Sequence, residues 1–95
     1  MSAYLIVDLD IKNPEAFAEY RRDVGATIAQ YGGKPIVRNG PFEVFEGNWK
    51  PKSVVVLEFP SMDAIKRWYN SPEYKPLIAK RQSASAANMI AVEGL

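Results

Sequence analysis

Six side chains within one short stretch of the sequence invite a chemical reading: Trp68, Tyr69 and Tyr74 around an Asn70-Ser71-Pro72 break, with Lys75, Lys80 and Arg81 just beyond it. Aromatic rings beside cationic groups are what a pocket for a flat ligand with an anionic end requires. The rings supply apolar contact, the phenols supply direction, and a guanidinium pairs with a carboxylate in a planar fork. Tyr20 completes the aromatic set. Arg38 and Glu58 form a second constellation. They fall on consecutive strands and, counted out from the connecting loop, roughly opposite each other. Arg38 either clamps a substrate anion with Glu58 orienting it, or forms a structural ion pair on the sheet face. Both readings stay open. Asp8 shares the parity of Glu58 on a strand that should lie beside it. Two close carboxylates in a partly buried site can raise one pKa and provide a base, although a strand-end residue paired with Arg38 is the simpler role.

The simpler roles apply to the aromatic residues too. Tyr20 and Trp68 sit at helical spacing and read first as core between helices and sheet. Tyr69 and Tyr74 lie on either side of a chain break, so packing and ligand contact remain level for them. Lys75 and Lys80 read as a solvated helix surface, whereas Arg81 is placed to reach Glu58 or a ligand. Ser71 has no histidine or evident lysine to activate it, so it reads as a cap and not a nucleophile.

Composition narrows the chemistry further. The chain has 95 residues, one small domain, with no cysteine and no histidine. Disulfides, thiolate chemistry, histidine acid–base catalysis, ordinary zinc sites and haem held by a protein histidine are all excluded. No metal site and no cofactor are expected. The net charge of +1 gives no electrostatic footprint for nucleic acid. No apolar run approaches the roughly 20 residues that span a bilayer, and the start of the chain lacks a signal-peptide pattern, so a cytoplasmic protein is expected. The glycine pairs fit neither a phosphate loop nor a dinucleotide fingerprint.

These residues must be positioned by elements that the sequence marks well. "AYLIVDLDI" alternates, with Leu5, Val7 and Leu9 on one face and Tyr4, Ile6 and Asp8 on the other, as in a strand. Asn13-Pro14 is an N-cap followed by a first-turn proline. Phe17, Tyr20, Val24, Ile28 and Tyr31 then recur at helical spacing until Gly32-Gly33. Gly25 inside this helix is expected to accommodate a close neighbour. A second strand region runs from Lys34 to Trp49 with a bulge or bend at Asn39-Gly40-Pro41, and a short loop leads to the β-branched strand Ser53–Phe59, making a hairpin. Ser61 caps a helix bearing Ile65, Trp68 and Tyr69. Ser71-Pro72 starts another short helix, whose first turn Pro76 should interrupt. "NMIAVEG" is a last short strand.

The order β-α-β-β-α-β is the ferredoxin-like plan, a four-stranded antiparallel sheet with the helices on one face. Leu5, Val7, Leu9, Val55, Leu57 and Phe59 should face the helices. The other face, with Tyr4, Ile6, Val54 and Val56 beside Asp8 and Glu58, is too apolar to remain wet, so two sheets should pack together in a homodimer.

Tyr20, Tyr31-Gly32-Gly33, Arg38-Asn39-Gly40, Glu46-Gly47-Asn48-Trp49, Val56-Leu57-Glu58-Phe59-Pro60, Trp68-Tyr69-Asn70-Ser71-Pro72-Glu73-Tyr74 and Arg81 together carry a resemblance to the DUF1330 family of the dimeric α/β-barrel superfamily. Asn39 departs from the glycine usual there, a change that a left-handed backbone tolerates. The resemblance implies the ferredoxin-like fold and a dimeric α/β barrel, and no known activity. Three function classes follow: a dimer binding a small aromatic or acidic metabolite, a cofactor-independent enzyme of monooxygenase or isomerase type using Tyr, Arg and carboxylate groups, and a structural or partner-binding dimer without a ligand.

Overall fold

The computed structural model of the chain describes residues 1–95. Seven elements follow in order: β1 (Ala3–Ile11), α1 (Pro14–Gln30), β2 (Lys34–Arg38), β3 (Val54–Phe59), α2 (Met62–Tyr69), α3 (Lys75–Ala84) and β4 (Ser85–Glu93). The four strands form one antiparallel sheet in the order β2-β3-β1-β4, which is the ferredoxin-like βαββαβ layout. No helix is long and apolar enough to cross a membrane.

The alternation of β1 fixes which face is dry. Ala3, Leu5, Val7 and Leu9 are buried beneath the helices, together with Leu57 and Phe59 of β3. Asn13 caps α1 by accepting from the Ala16 amide at 3.1 Å, and Ser61 caps α2 by accepting from the Ala64 amide at 3.0 Å. The turn after α1 passes through Gly32 at φ 81°, and Gly33 follows with the Phe59 ring so near that a Cβ would stand 2.7 Å from it. Close packing therefore explains Gly33. It does not explain Gly25, contrary to expectation: a Cβ there meets nothing within 4 Å.

The second strand is shorter than its sequence suggests. β2 stops at Arg38 because Asn39 turns the chain at φ 55° and Pro41 has no amide to give a ladder. Residues 39–53 are an irregular loop, so β2 and β3 are adjacent strands joined by a long connection and not a tight hairpin. The ladder irregularity lies at Pro35/Val37, not at Asn39-Gly40. Ser71 does not open α3 directly. It caps a tight turn, donating to the Trp68 carbonyl at 2.7 Å and accepting from the Tyr74 amide at 3.1 Å, and α3 starts at Lys75. Pro76 then sits within the first turn, where a missing amide costs no helical bond. α3 runs directly into β4, which begins earlier than the sequence marked it.

The outer sheet face carries an apolar row that crosses every strand. Val37 pairs with Val56, Val56 with Ile6, and Ile6 with Ile90. Ile90 is 62% exposed. Phe42, Val44, Phe45 and Trp49 of the long loop are exposed as well.

Candidate functional site

Between α1 and the inner sheet face lies a cavity of about 200 Å³. Leu5, Val7, Leu9, Val55, Leu57 and Met89 form its floor, α1 forms its roof, and Trp68, Tyr74 and Arg81 close one side. Its existence follows from how the helices pack. α1 engages α3 far more than it engages the sheet, which leaves space under its middle, and Gly25 contributes no side chain to fill it. The charged groups lining the cavity are Arg21, Arg38 and Arg81, and no carboxylate is among the lining residues.

Arg81 is the unusual member. It is only 7% exposed, its Nε has no hydrogen-bond partner, and none of the ion pairs of the structure includes it. A buried guanidinium ordinarily has a carboxylate or a set of acceptors to offset its lost hydration. Arg21 and Arg38 are exposed, and Arg21 lies over the Phe17 ring at 5.2 Å. The cavity thus has a buried cation inside and two solvated cations at its rim.

Tyr20 and Tyr74 stand beside Arg81. Their hydroxyls are 2.9 Å apart, and the Arg81 guanidinium also donates to the Tyr74 oxygen. Burial pushes the Tyr20 phenol far above the usual tyrosine range, and Tyr74 beside it adds to the rise. Burial also raises the Tyr74 pKa, while the bond with Tyr20 and the Arg81 guanidinium pull it partly back. Both phenols are therefore neutral hydrogen-bond donors at physiological pH. Tyr74 is held rigidly, since its ring stacks on Trp68 with centroids 4.0 Å apart. Trp68 in turn donates from Nε1 to Thr27 Oγ1 at 3.0 Å, and Thr27 donates to the Val24 carbonyl at 2.7 Å. This chain of contacts ties the cavity wall to α1.

Of the residues singled out in the sequence, Tyr20, Arg38, Trp68, Tyr74 and Arg81 line this cavity. Trp68 is also core, 1% exposed, as its helical spacing indicated. Tyr69 does not join Tyr74 in the cavity. It faces a separate hollow with Met62, Ile65 and Met89. Asp8 and Glu58 lie on the opposite face of the sheet. Glu58 accepts from the Tyr4 hydroxyl at 3.2 Å and pairs with Lys34 at 3.5 Å. Asp8 accepts from Trp49 Nε1 at 2.9 Å and from the Lys52 amide at 3.0 Å, so it anchors the long loop.

The expected pairing of Arg38 with Glu58 is therefore overturned, and the reason is one residue. Lys34 pairs with Glu58 and Pro35 with Leu57, but after the irregularity Val37 pairs with Val56 and Arg38 with Val55. Directly opposed residues share a face, so the extra residue at Ile36 moves Arg38 from the outer face of Glu58 to the inner face of Val55. Sequence reasoning also missed Arg21 and Gly25. The spacing Phe17, Arg21, Val24, Gly25, Ile28 places both on one helix face, but Gly25 is expected to meet a neighbour there, and a lone arginine on that face carries no signal of a cavity.

The model of the family described as a domain of unknown function (DUF1330) matches residues 2–95, and the chain belongs to that family. No curated protein matches it in sequence. Among solved structures it is similar to a protein of unknown function from Rhodopseudomonas palustris, with 24% identity, TM-score 0.81, and 99% of this chain and 82% of that one covered. It is similar to a dimeric ferredoxin-like protein of unknown function from Jannaschia sp., with 12% identity, TM-score 0.71, and 99% and 100% covered. It is also similar to SnoaB, a cofactor-independent oxygenase from Streptomyces nogalater, with 13% identity, TM-score 0.68, and 99% and 93% covered. At these identities the likenesses speak for the fold alone.

Proposed function

We propose that this chain forms a homodimer whose protomers each bind a small one-ring or unsaturated organic acid in the cavity beneath α1. The observation that carries the reading is Arg81, a buried cation whose Nε has no partner, in a cavity lined by apolar side chains and no carboxylate. An anion from outside the chain is the group that would satisfy it. Size supports a small ligand. An apolar cavity of about 150 Å³ takes benzene, so about 200 Å³ suits one ring with a short acidic substituent. Arg21 and Arg38 at the rim would draw such an anion in and favour a ligand carrying a second polar end.

Dimerisation is supported by the apolar row Val37-Val56-Ile6-Ile90 on the outer face, and by the dimeric state named for the similar Jannaschia protein. Light scattering should return twice the chain mass, and Ile90→Asp should return the single mass. A monomeric native chain would overturn the dimer.

Benzoate is a suitable ligand probe. It should raise the melting temperature of the native chain, and Gly25→Phe, which fills open space at the cavity roof, should abolish that rise. An equal rise in both proteins would locate the binding elsewhere. The likeness to SnoaB supports a second reading, a cofactor-independent enzyme acting on a ligand of this kind. Because Asp8 and Glu58 lie on the other face, a carboxylate base is no part of it.

A further inference from the structure

We infer that the Tyr20–Tyr74–Arg81 end of the cavity is an oxyanion site that takes up acidic phenols and enols in their ionised form, and so selects ligands by a localised negative oxygen. This rests on the reading of the cavity as a ligand site and adds which chemical class that site prefers. The argument is a count of donors. Two hydroxyls 2.9 Å apart share one proton between them, so the second proton of the pair is free for another acceptor. Arg81 Nε–H is a second free donor and is buried beside them. A single oxygen bearing concentrated charge can accept from both. Donors to an ionised acceptor form bonds roughly twice as strong as those to a neutral one.

The surroundings favour the anion further. The titratable groups at this end are Tyr20 from α1, Tyr74 from the turn before α3 and Arg81 from α3, with Tyr69 of α2 next to Tyr74, ring centroids 5.8 Å apart; Arg21 from α1 and Arg38 from β2 line the same cavity. All are cations or phenols. Burial keeps the two phenols protonated, so they donate to a bound oxyanion and do not compete with it for charge. The rigid stack of Tyr74 on Trp68 fixes its hydroxyl before any ligand arrives. The chemistry is an ionisation equilibrium only. The ligand's O–H proton leaves to solvent, the oxygen keeps the electron pair, and no bond to carbon breaks.

The test uses para-nitrophenol, whose phenolate absorbs in the visible and whose ionisation falls near neutral pH, with benzoate as a companion ligand. Spectral titration of the bound probe should show its pKa lowered by at least about one unit, a tenfold preference for phenolate over phenol. Tyr74→Phe keeps the ring stack and removes the hydroxyl, and it should return most of that shift; Tyr20→Phe is the second variant, with circular dichroism confirming the fold of each. A bound probe whose pKa is unchanged, while benzoate still stabilises the protein, overturns the oxyanion site and leaves the acid-binding cavity standing. A shift that survives both tyrosine variants also overturns it, since the arginines alone then account for the effect. If neither probe nor benzoate binds, this inference and the cavity reading fall together.

Discussion

Replacing Arg81 with methionine should make the protein more stable and a poorer binder of acids at once. Arg81 is 7% exposed with an unpartnered Nε, and a buried donor left unsatisfied costs about 1–3 kcal/mol. Methionine keeps an unbranched apolar stem of similar length and adapts to irregular core space. It forfeits the attraction between the guanidinium and the phenol oxygens of Tyr20 and Tyr74, an interaction of about 1 kcal/mol. The net expectation is a gain of about 1 kcal/mol. In a domain of this size that raises the melting temperature by about 4–8 °C at fixed protein concentration. Binding should move the other way. A ligand specific for the native state adds about 2.7 kcal/mol at a concentration 100 times its Kd. Loss of one charge-assisted bond should weaken benzoate by about tenfold to a hundredfold. The assay is a pair of thermal melts, with and without benzoate, for each protein. Destabilisation by more than about 1 kcal/mol would make Arg81 a structural residue, and an unchanged benzoate response would remove it from the site. Either result refutes the reasoning from its burial.

Three further outcomes follow from the same geometry. Gly25→Ala should stabilise the chain by about 0.5–1 kcal/mol in urea titration, because alanine is the better helix former and a Cβ there meets nothing within 4 Å; a loss of stability would mean that the space above the cavity is occupied. Tyr20 and Tyr74 have folded-state pKa values raised above their unfolded value of 10.0, so their contribution is complete below that value and is lost as pH rises beyond it through the higher folded-state values. Stability measured from pH 9 upward should therefore fall less steeply in the Tyr20→Phe/Tyr74→Phe double variant than in the native chain, and equal slopes would mean that the phenols ionise freely. Asp8→Ala removes the acceptor for Trp49 Nε1 and the Lys52 amide, and should red-shift Trp49 emission and speed proteolytic cutting within residues 39–53 with little effect on benzoate binding; an undisturbed loop would show that Asp8 does not hold it.

The sequence by itself determined the strand and helix order, the buried face of β1 and β3, and the capping of α1 and α2. These are local properties: alternation of two, helical spacing, and cap residues that bond amides three positions away. Asn39 was legible for the same reason, since its side chain suits a left-handed turn and the turn is there at φ 55°. The aromatic and arginine set was legible as residue types, and Tyr20, Arg38, Trp68, Tyr74 and Arg81 do meet around one cavity. What only the tertiary structure decided was which face and which partner. One extra residue in β2 reversed the side on which Arg38 emerges, and no local signal distinguished a bulge at Ile36 from one at Asn39. Asp8 acquired its role from a loop more than forty positions away. Gly25 proved to border space and not a neighbour, because the gap depends on α1 resting on α3. Arg81 is the sharpest case. The elements around it carry acidic residues, such as Glu19 and Asp23 on α1 and Glu58 on β3, yet none of them lines the cavity, and only the three-dimensional arrangement of the whole chain sets that.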